Sequence, residues 1–243
     1  MNIVMPMAGR GQRFKEAGYE MPKPFIPVHG VAMYRKALAD FYSNGDQIIL
    51  ITQEDHQPHF EAEPNYAFQP KKVFLQETTE GAACSVLKAR AFIDNDEPLL
   101  IVNCDQLIQF NRFNWATMCN NSDVDGVIFV FEASGSRWSY ARMDQRLQVV
   151  QVAEKVEISP FATCGAYWFR HGYMFCEAAD RMIERDLRVN NEFYVAPVFN
   201  QMIEVGSLVL PFMVDEMISL GTPELLKDYL SVRRIHDANS PSW

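Results

Sequence analysis

The chain lacks the features that announce several common classes of protein. Its five cysteines, Cys84, Cys104, Cys119, Cys164 and Cys176, are an odd set without any C-x-x-C pair. That excludes a disulfide framework and suits free, largely buried thiols in a reducing cytoplasm. The five histidines never pair at zinc-ligand spacing. His56 and His59 are three apart, but Pro58 stands between them and no cysteine lies near, so they read as surface residues. No apolar run approaches the roughly 20 residues that span a bilayer. No basic patch precedes an apolar segment at the N-terminus, so a soluble, unexported, cytoplasmic protein without membrane contact is expected. Lys and Arg number 22 against 31 Asp and Glu, a formal charge of −9. Dispersed cations on an acidic chain argue against duplex binding, and nucleic acid is not an expected partner. Any Ser-His-Asp or Cys-His arrangement for covalent catalysis is also missing.

What is present is a core. With 243 residues, 48% of them hydrophobic, the chain can bury roughly 70–75% of its unfolded surface without a staple. Strand-like runs at 2–6, 47–52 and 99–102 alternate with helical patterns at 33–42 and 80–92, the rhythm of parallel strands joined by crossover helices. After Asp123 the pattern turns β-rich, with runs at 126–132, 138–143, 147–153 and 161–170 separated by polar turns. Helical patterns return at 171–188, 194–205 and after Gly221, where Thr222 suits an N-cap and Pro223 the first helical position. The apolar stripe of 171–188 reads as core. The expectation is an α/β fold: one doubly wound, mixed, mainly parallel sheet with helices on both faces. Residues 1–235 form its single domain, 235–243 fray, and 236–243 are a C-terminal tail. Self-association through exposed aromatic patches is compatible with the sequence.

The most informative stretch is the first thirty residues. Apolar strand Asn2–Pro6 runs into Ala8-Gly9-Arg10-Gly11-Gln12-Arg13, and Pro22-Lys23-Pro24 follows. Glycines after a strand leave backbone N–H groups unobstructed, and Arg10, Arg13 and Lys23 bring three cations to them, which makes a polyphosphate pocket. It is neither of the two commonest such pockets. The dinucleotide fingerprint needs a glycine where Phe14 stands, and no Gly-Lys-Ser/Thr of a P-loop occurs. The Gly-x-Gly-x-Arg loop followed by Pro-Lys instead resembles the signature of nucleotidyltransferases that make activated sugars, the nucleoside-diphosphate-sugar pyrophosphorylase superfamily.

In an open α/β sheet, ligands lie beyond the carboxyl ends of the strands. The run 99–102 ends in Asn103-Cys104-Asp105, where a carboxylate is placed to hold Mg²⁺ against a triphosphate. Small residues Gly81, Ala82 and Ala83 open a helix after Gln76, so a flat base can approach the backbone. Gln76, Gly81 and Asp105 keep the spacing of the family's base-reading and metal positions. Glu154-Lys155 matches its acceptor-binding Glu-Lys, Gly165 its glycine-aromatic strand, and Asn191-Glu192-Phe193 and Leu220–Glu224 look like later landmarks. The resemblance spans residues 2 to about 230. It implies nucleotide contacts from Ala8, Gly9, Arg10, Gly11, Gln76, Gly81 and Ala82, and catalysis by Arg13, Lys23 and Asp105 with Mg²⁺. It also implies acceptor contacts from Glu154, Lys155, Gly165 and Glu192. The implied partners are an NTP and a phosphorylated small-molecule acceptor.

Three departures qualify the resemblance. Ser219 stands where many relatives carry a second metal-binding Asp, so metal binding leans on Asp105 and substrate phosphates or recruits Asp215 or Glu216. Val156 replaces the proline after Glu-Lys, and Pro6-Met7 replaces the hydrophobic pair before the loop. These leave the acceptor open, from a sugar 1-phosphate to phosphocholine or a phosphorylated amino acid. Two rival readings remain. A glycosyltransferase consuming a nucleotide sugar would carry Asp-x-Asp where Asn103-Cys104-Asp105 stands, and a nucleotide-sensing module without turnover finds support in Ser219.

Overall fold

Each inner strand feeds two cores, because successive side chains point to opposite faces. In the computed structural model, which describes residues 1–62 and 69–237, the strands in chain order are β1 (Asn2–Pro6), β2 (Pro27–Val28), β3 (Val31–Ala32), β4 (Gln47–Gln53), β5 (Lys71–Leu75), β6 (Leu99–Val102), β7 (Gln106–Gln109), β8 (Gly126–Glu132), β9 (Ser139–Met143), β10 (Val149–Glu154), β11 (Phe161–Phe169), β12 (Val209–Met213) and β13 (Glu216–Ser219). The helices are α1 (Gln12–Glu16), α2 (Met33–Leu38), α3 (Gln57–Glu61), α4 (Ala82–Leu87), α5 (Arg90–Ile93), α6 (Arg112–Asn120), α7 (Gly172–Glu184), α8 (Val198–Glu204) and α9 (Pro223–Asp237). Val4, Ile49, Ile51, Leu99 and Ile101 pack with α4, α5, α7 and α8 on one face. Their neighbours Ile3, Met5, Ile48, Leu50, Leu100 and Val102 pack on the other face with α2. Strands buried on both faces read as continuous apolar runs, which is why these segments were legible. Each fully buried aliphatic side chain contributes about 1.5–3 kcal/mol.

The nine-stranded sheet has β6, β1, β4 and β5 in parallel. β11 pairs antiparallel with β6 and carries β8 and β9, while β12 runs parallel to β8. β13 pairs with β7 as a separate two-stranded ribbon. This is the expected mixed sheet with helices on both faces.

Several boundaries differ from expectation. The 80–92 helix is two pieces, because Lys88 and Ala89 donate back three residues, to Ser85 and Val86 carbonyls, and tighten the turn. The 194–205 helix starts only at Val198, since the chain before it is drawn onto the start of α4. The 171–188 helix ends at Glu184, where Asp186 adopts a left-handed backbone (φ 49°). The 33–42 helix stops at Leu38, and 147–153 becomes β10 from Val149, because Leu147 (φ 61°) belongs to the preceding turn. The last helix starts as expected, with Thr222 Oγ1 accepting from Leu225 N–H. It continues through Asp237, so the 236–243 tail and the fraying 235–243 segment begin inside a helix; residues 238–243 lie outside the described residues. His56 is a correction. It is buried, 2.8 Å from the Thr52 hydroxyl, and burial lowers its pKa, so it is a neutral core residue rather than a surface one.

Candidate active site

The site is a cleft of three adjoining lobes at the carboxyl ends of the parallel strands. After β1 the chain passes through Ala8, Gly9 and Arg10 to Gly11, which caps α1 in a left-handed conformation (φ 61°). A Cβ on Gly11 would stand 3.2 Å from the Cβ of Lys23, so the glycine lets the Pro-Lys turn pack against the loop. Lys23 Nζ donates to Asp105 Oδ2 at 2.5 Å, with each side chain only about one-fifth exposed (19% and 20%). Burial pulls the Lys23 pKa down, but the adjacent carboxylate outweighs it and leaves the pKa above its ordinary value.

Asp105 leaves β6 beside the β7–β13 ribbon. Its carbonyl accepts from Leu220 N–H at 2.7 Å, and Ser219 pairs with Gln106. Asp105 and Ser219 therefore face one another across Gly221, whose Cβ would lie 3.2 Å from Asp105 Oδ2 and 3.4 Å from Ser219 Oγ. Asp215 and Glu216 are exposed and outside the cleft. Glu216 pairs with Gln109, three residues along the ribbon and about 10 Å away from the Ser219 end.

The main lobe, about 410 Å³, gathers Arg13, Lys23, Ala82, Asp105, Glu154 and Gly165 from segments scattered along the chain. Its far wall is built by β9, β10 and β11. A register shift in β11 between Thr163 and Tyr167 sets Gly165 at φ +74°, with its carbonyl accepting from Asn103 N–H at 2.9 Å. A Cβ there would collide with Gln106 Oε1 at 1.8 Å. Glu154 is 7% exposed and accepts from the Ser139 hydroxyl, with no cation in ion-pair reach among the described residues. Burial raises its pKa, against the opposing Ser139 bond and Lys155 charge.

The second lobe, about 460 Å³, holds Ala8, Gly9, Arg10, Gly81, Ala82 and Glu192. Gly81 (φ 130°) lies so close to the 193 segment that a Cβ would meet Phe193 O at 2.4 Å. Phe193 O accepts from Ala83 N–H, so that donor at the start of α4 is spent inside the fold rather than left free for a base. Gln76 is in the third lobe, with Gly9, Arg10 and Lys23, and donates to Glu54 at 3.4 Å. The structure thus separates Gln76 from Gly81, with Gly9 and Arg10 lining both lobes. Gly11 and Lys155 line none of the three lobes.

Sequence reasoning missed Arg137, Trp138, Tyr167 and Tyr194, all on the main lobe. Ser139 and Thr163 were likewise read only as strand positions. The signal for Tyr194 was its place directly after the Glu192-Phe193 landmark.

A loop of backbone donors, a Lys–Asp pair and a polar far wall at the carboxyl edge of a mixed α/β sheet define a nucleotide-handling transferase. The sequence matches the nucleotidyl transferase family over residues 2–222, and the chain belongs to that family. Its fold is similar to that of a nucleoside-diphosphate-sugar pyrophosphorylase from Vibrio cholerae RC9, with TM-score 0.82 and 25% identity over 94% of this chain and 99% of that one. A UDP-glucose pyrophosphorylase complexed with UDP-glucose shares the fold with TM-score 0.79 and 14% identity, over 97% of this chain and 98% of that one. The inositol-1-phosphate CTP transferase from T. maritima does so with TM-score 0.75 and 13% identity, over 99% and 98%. No curated protein is matched by the sequence. The protein is a nucleotidyltransferase, and no helix among the described residues is long and apolar enough to cross a membrane.

Proposed function

We propose that the protein transfers a nucleoside monophosphate from an NTP to a phosphorylated small acceptor and releases pyrophosphate. The acceptor class we favour is a sugar 1-phosphate or similar small phosphate ester, handled in the cytoplasm by one domain spanning residues 1–235. The observation that carries the reading is the Lys23–Asp105 pair at 2.5 Å, on the floor of a lobe whose opposite wall carries Glu154. A phosphate oxygen of the acceptor attacks the α-phosphorus in line, and the bond to the β-phosphate oxygen breaks. Such transfer needs positioning and charge stabilisation rather than a protein nucleophile. Lys23 gives up Asp105 for phosphate oxygens when the nucleotide enters, and with Arg13 it stabilises charge on the α-phosphate and the departing pyrophosphate. Ala8, Gly9, Arg10, Gly81 and Ala82 hold the nucleotide, Gln76 reads an edge of the base, and Glu154, Gly165 and Glu192 position the acceptor and the ribose-bearing side.

The donors around Asp105 suit Mg²⁺. Asp105 and Ser219 offer hard oxygens across the gap at Gly221. No group of three or more His, Cys, Asp or Glu is gathered among the described residues. A site with one carboxylate fits an ion that keeps waters and relies on substrate phosphates. Bound there, Mg²⁺ supplies charge neutralisation for the phosphates.

The test is acceptor-dependent pyrophosphate release, with each of the four NTPs and Mg²⁺ against glucose 1-phosphate, inositol 1-phosphate, phosphocholine and phosphoserine. Release with at least one pairing is expected. A glycosyltransferase or a sensor without turnover would release none.

A further inference from the structure

Helix α6 is held to the domain less completely than the other surface helices. α7 buries six of its residues and α8 four, whereas α6 buries none of its nine among the described residues. Its sequence, Arg-Phe-Asn-Trp-Ala-Thr-Met-Cys-Asn, is poor in strong helix formers. A short helix of this kind owes its stability to packing, yet only Trp115, Met118 and Cys119 are even half-covered. Beside it is a cavity of about 400 Å³ walled by Phe41, Phe110, Trp115 and Trp168. Asp46 and Pro98, which immediately precede β4 and β6, also line it. The cavity therefore lies at the amino ends of the parallel strands, the opposite end of the sheet from the cleft. Its volume falls in the roughly 300–1,000 Å³ range of cavities that enclose a small molecule, ample for one aromatic ring.

The same helix carries a ring to match. Phe113 is 80% exposed, the largest exposure of any large hydrophobic side chain among the described residues. Arg112, Trp115, Ala116, Cys119 and Asn120 line the cavity, the i, i+3, i+4, i+7 and i+8 positions of one helical face. Phe113 stands three residues before Ala116 and seven before Asn120, so it runs along the edge of that face, and its ring lies outside the cavity. Knob and hole side by side on one helix make the surface complementary to itself after a two-fold rotation, the requirement of an isologous contact. The rim charges obey the same symmetry. Arg112 is 3.9 Å from Asp40, with both side chains half-exposed. So loose a surface pair contributes little within one chain, and a rim bearing both signs can pair with the same rim of a rotated copy.

We propose that this face is the interface of a two-fold dimer, in which Phe113 of each copy enters the aromatic cavity of the other. The contact gives α6 the burial that its own chain does not supply. The inference is independent of the transfer reaction proposed above, because no residue of the cleft takes part.

The test is sedimentation velocity of the full-length protein between about 1 and 100 μM, with wild type expected to dimerise with a dissociation constant inside or below that range. Phe113→Ser removes a ring from both halves of the contact and is expected to weaken dimerisation about 10²–10⁴-fold. Ala116→Arg keeps the ring but places a long charged side chain at the cavity, from an exposed position, and is expected to weaken it at least as far as to leave mostly monomer. Leu147→Ser, which removes an exposed apolar side chain from the β9–β10 turn, is expected to dimerise as wild type does. Circular dichroism and melting temperatures confirm that each variant is folded. A wild type that stays monomeric to about 100 μM overturns the proposal and leaves the cavity to a small aromatic ligand or a different protein. A dimer that persists in Phe113→Ser or in Ala116→Arg, or that Leu147→Ser weakens equally, overturns it too.

Discussion

The two walls of the cleft are made differently. On the side of β1 and β6, function sits in short loops that leave parallel strands, and its parts are backbone donors and formal charges: Gly9, Arg10, Arg13, Lys23, Asp105. On the side of β9, β10 and β11, antiparallel register and a bulge assemble the wall from Glu154, Gly165, Trp138 and Tyr167, which carry hydrogen bonds and rings with little free charge. On the proposed reaction, the first wall would handle phosphate charge, which any NTP brings, and the second would fit one acceptor's shape, which charge alone cannot specify.

Four substitutions probe that contrast. The largest effect is expected from Lys23→Ala, which removes a preorganised cation from the phosphate wall. Turnover should fall by about 10²–10³, measured by pyrophosphate release, with the far wall unaffected; near-normal turnover would take Lys23 out of the mechanism. Next, Gly81→Ala forces a Cβ against the Phe193 backbone at 2.4 Å, in a conformation (φ 130°) closed to alanine. Strain of this kind costs about 1–3 kcal/mol, or roughly 2–4 °C of melting temperature per kcal/mol at this chain length. An unchanged melting temperature would mean the two segments are not clamped together.

Glu154→Gln should act on the acceptor wall alone, raising the acceptor KM about tenfold while the NTP KM stays put. It also has a pH signature. The folded protein holds the Glu154 proton more tightly than the unfolded chain, whose value is near the ordinary 4.5. Between 4.5 and the raised folded value the native state binds more protons, so wild-type stability falls as pH rises through that window. The amide variant, which cannot ionise, should therefore melt higher than wild type at neutral pH, and the gap should close as pH drops toward 4.5. A constant gap would show that Glu154 does not titrate as its burial requires. The smallest effect is expected from Ser219→Asp, which puts a second carboxylate beside Asp105. Mn²⁺ binding to the nucleotide-free protein, followed by electron paramagnetic resonance, should tighten about three- to tenfold; no change would place residue 219 outside the metal's reach.

The same contrast explains what the sequence made legible. Continuous apolar runs gave β1, β4 and β6 because both faces of each strand are buried, and the residues after those strands had to lie at the cleft by topology. Asp105 was placed at the cleft in that way, and Arg13 and Lys23 through the glycine loop and the Pro-Lys motif. The far wall was legible only at Glu154 and Gly165, through resemblance; Glu192, carried over with them, lines the second lobe instead. Tyr167 reaches the lobe because β11 shifts register at Gly165, and Tyr194 because the chain after Phe193 delays its helix to bond with α4. Pairing choices between distant segments leave no local mark in the sequence. Lys155 shows the converse, since its position matched a motif while its side chain turned behind Tyr194. Ribbon β7–β13, which sets Ser219 beside Asp105, was also invisible, because β7 is too short and too polar to stand out.

Both walls are proposed to act on a single nucleotidyl transfer. Its most direct test follows an α-³²P-labelled NTP with Mg²⁺ and the acceptor that releases pyrophosphate fastest. Wild type should move one label onto the acceptor for each pyrophosphate released, and Lys23→Ala should lose both together. Pyrophosphate released with the label left on free nucleoside monophosphate, or label transfer untouched by loss of Lys23, would contradict it.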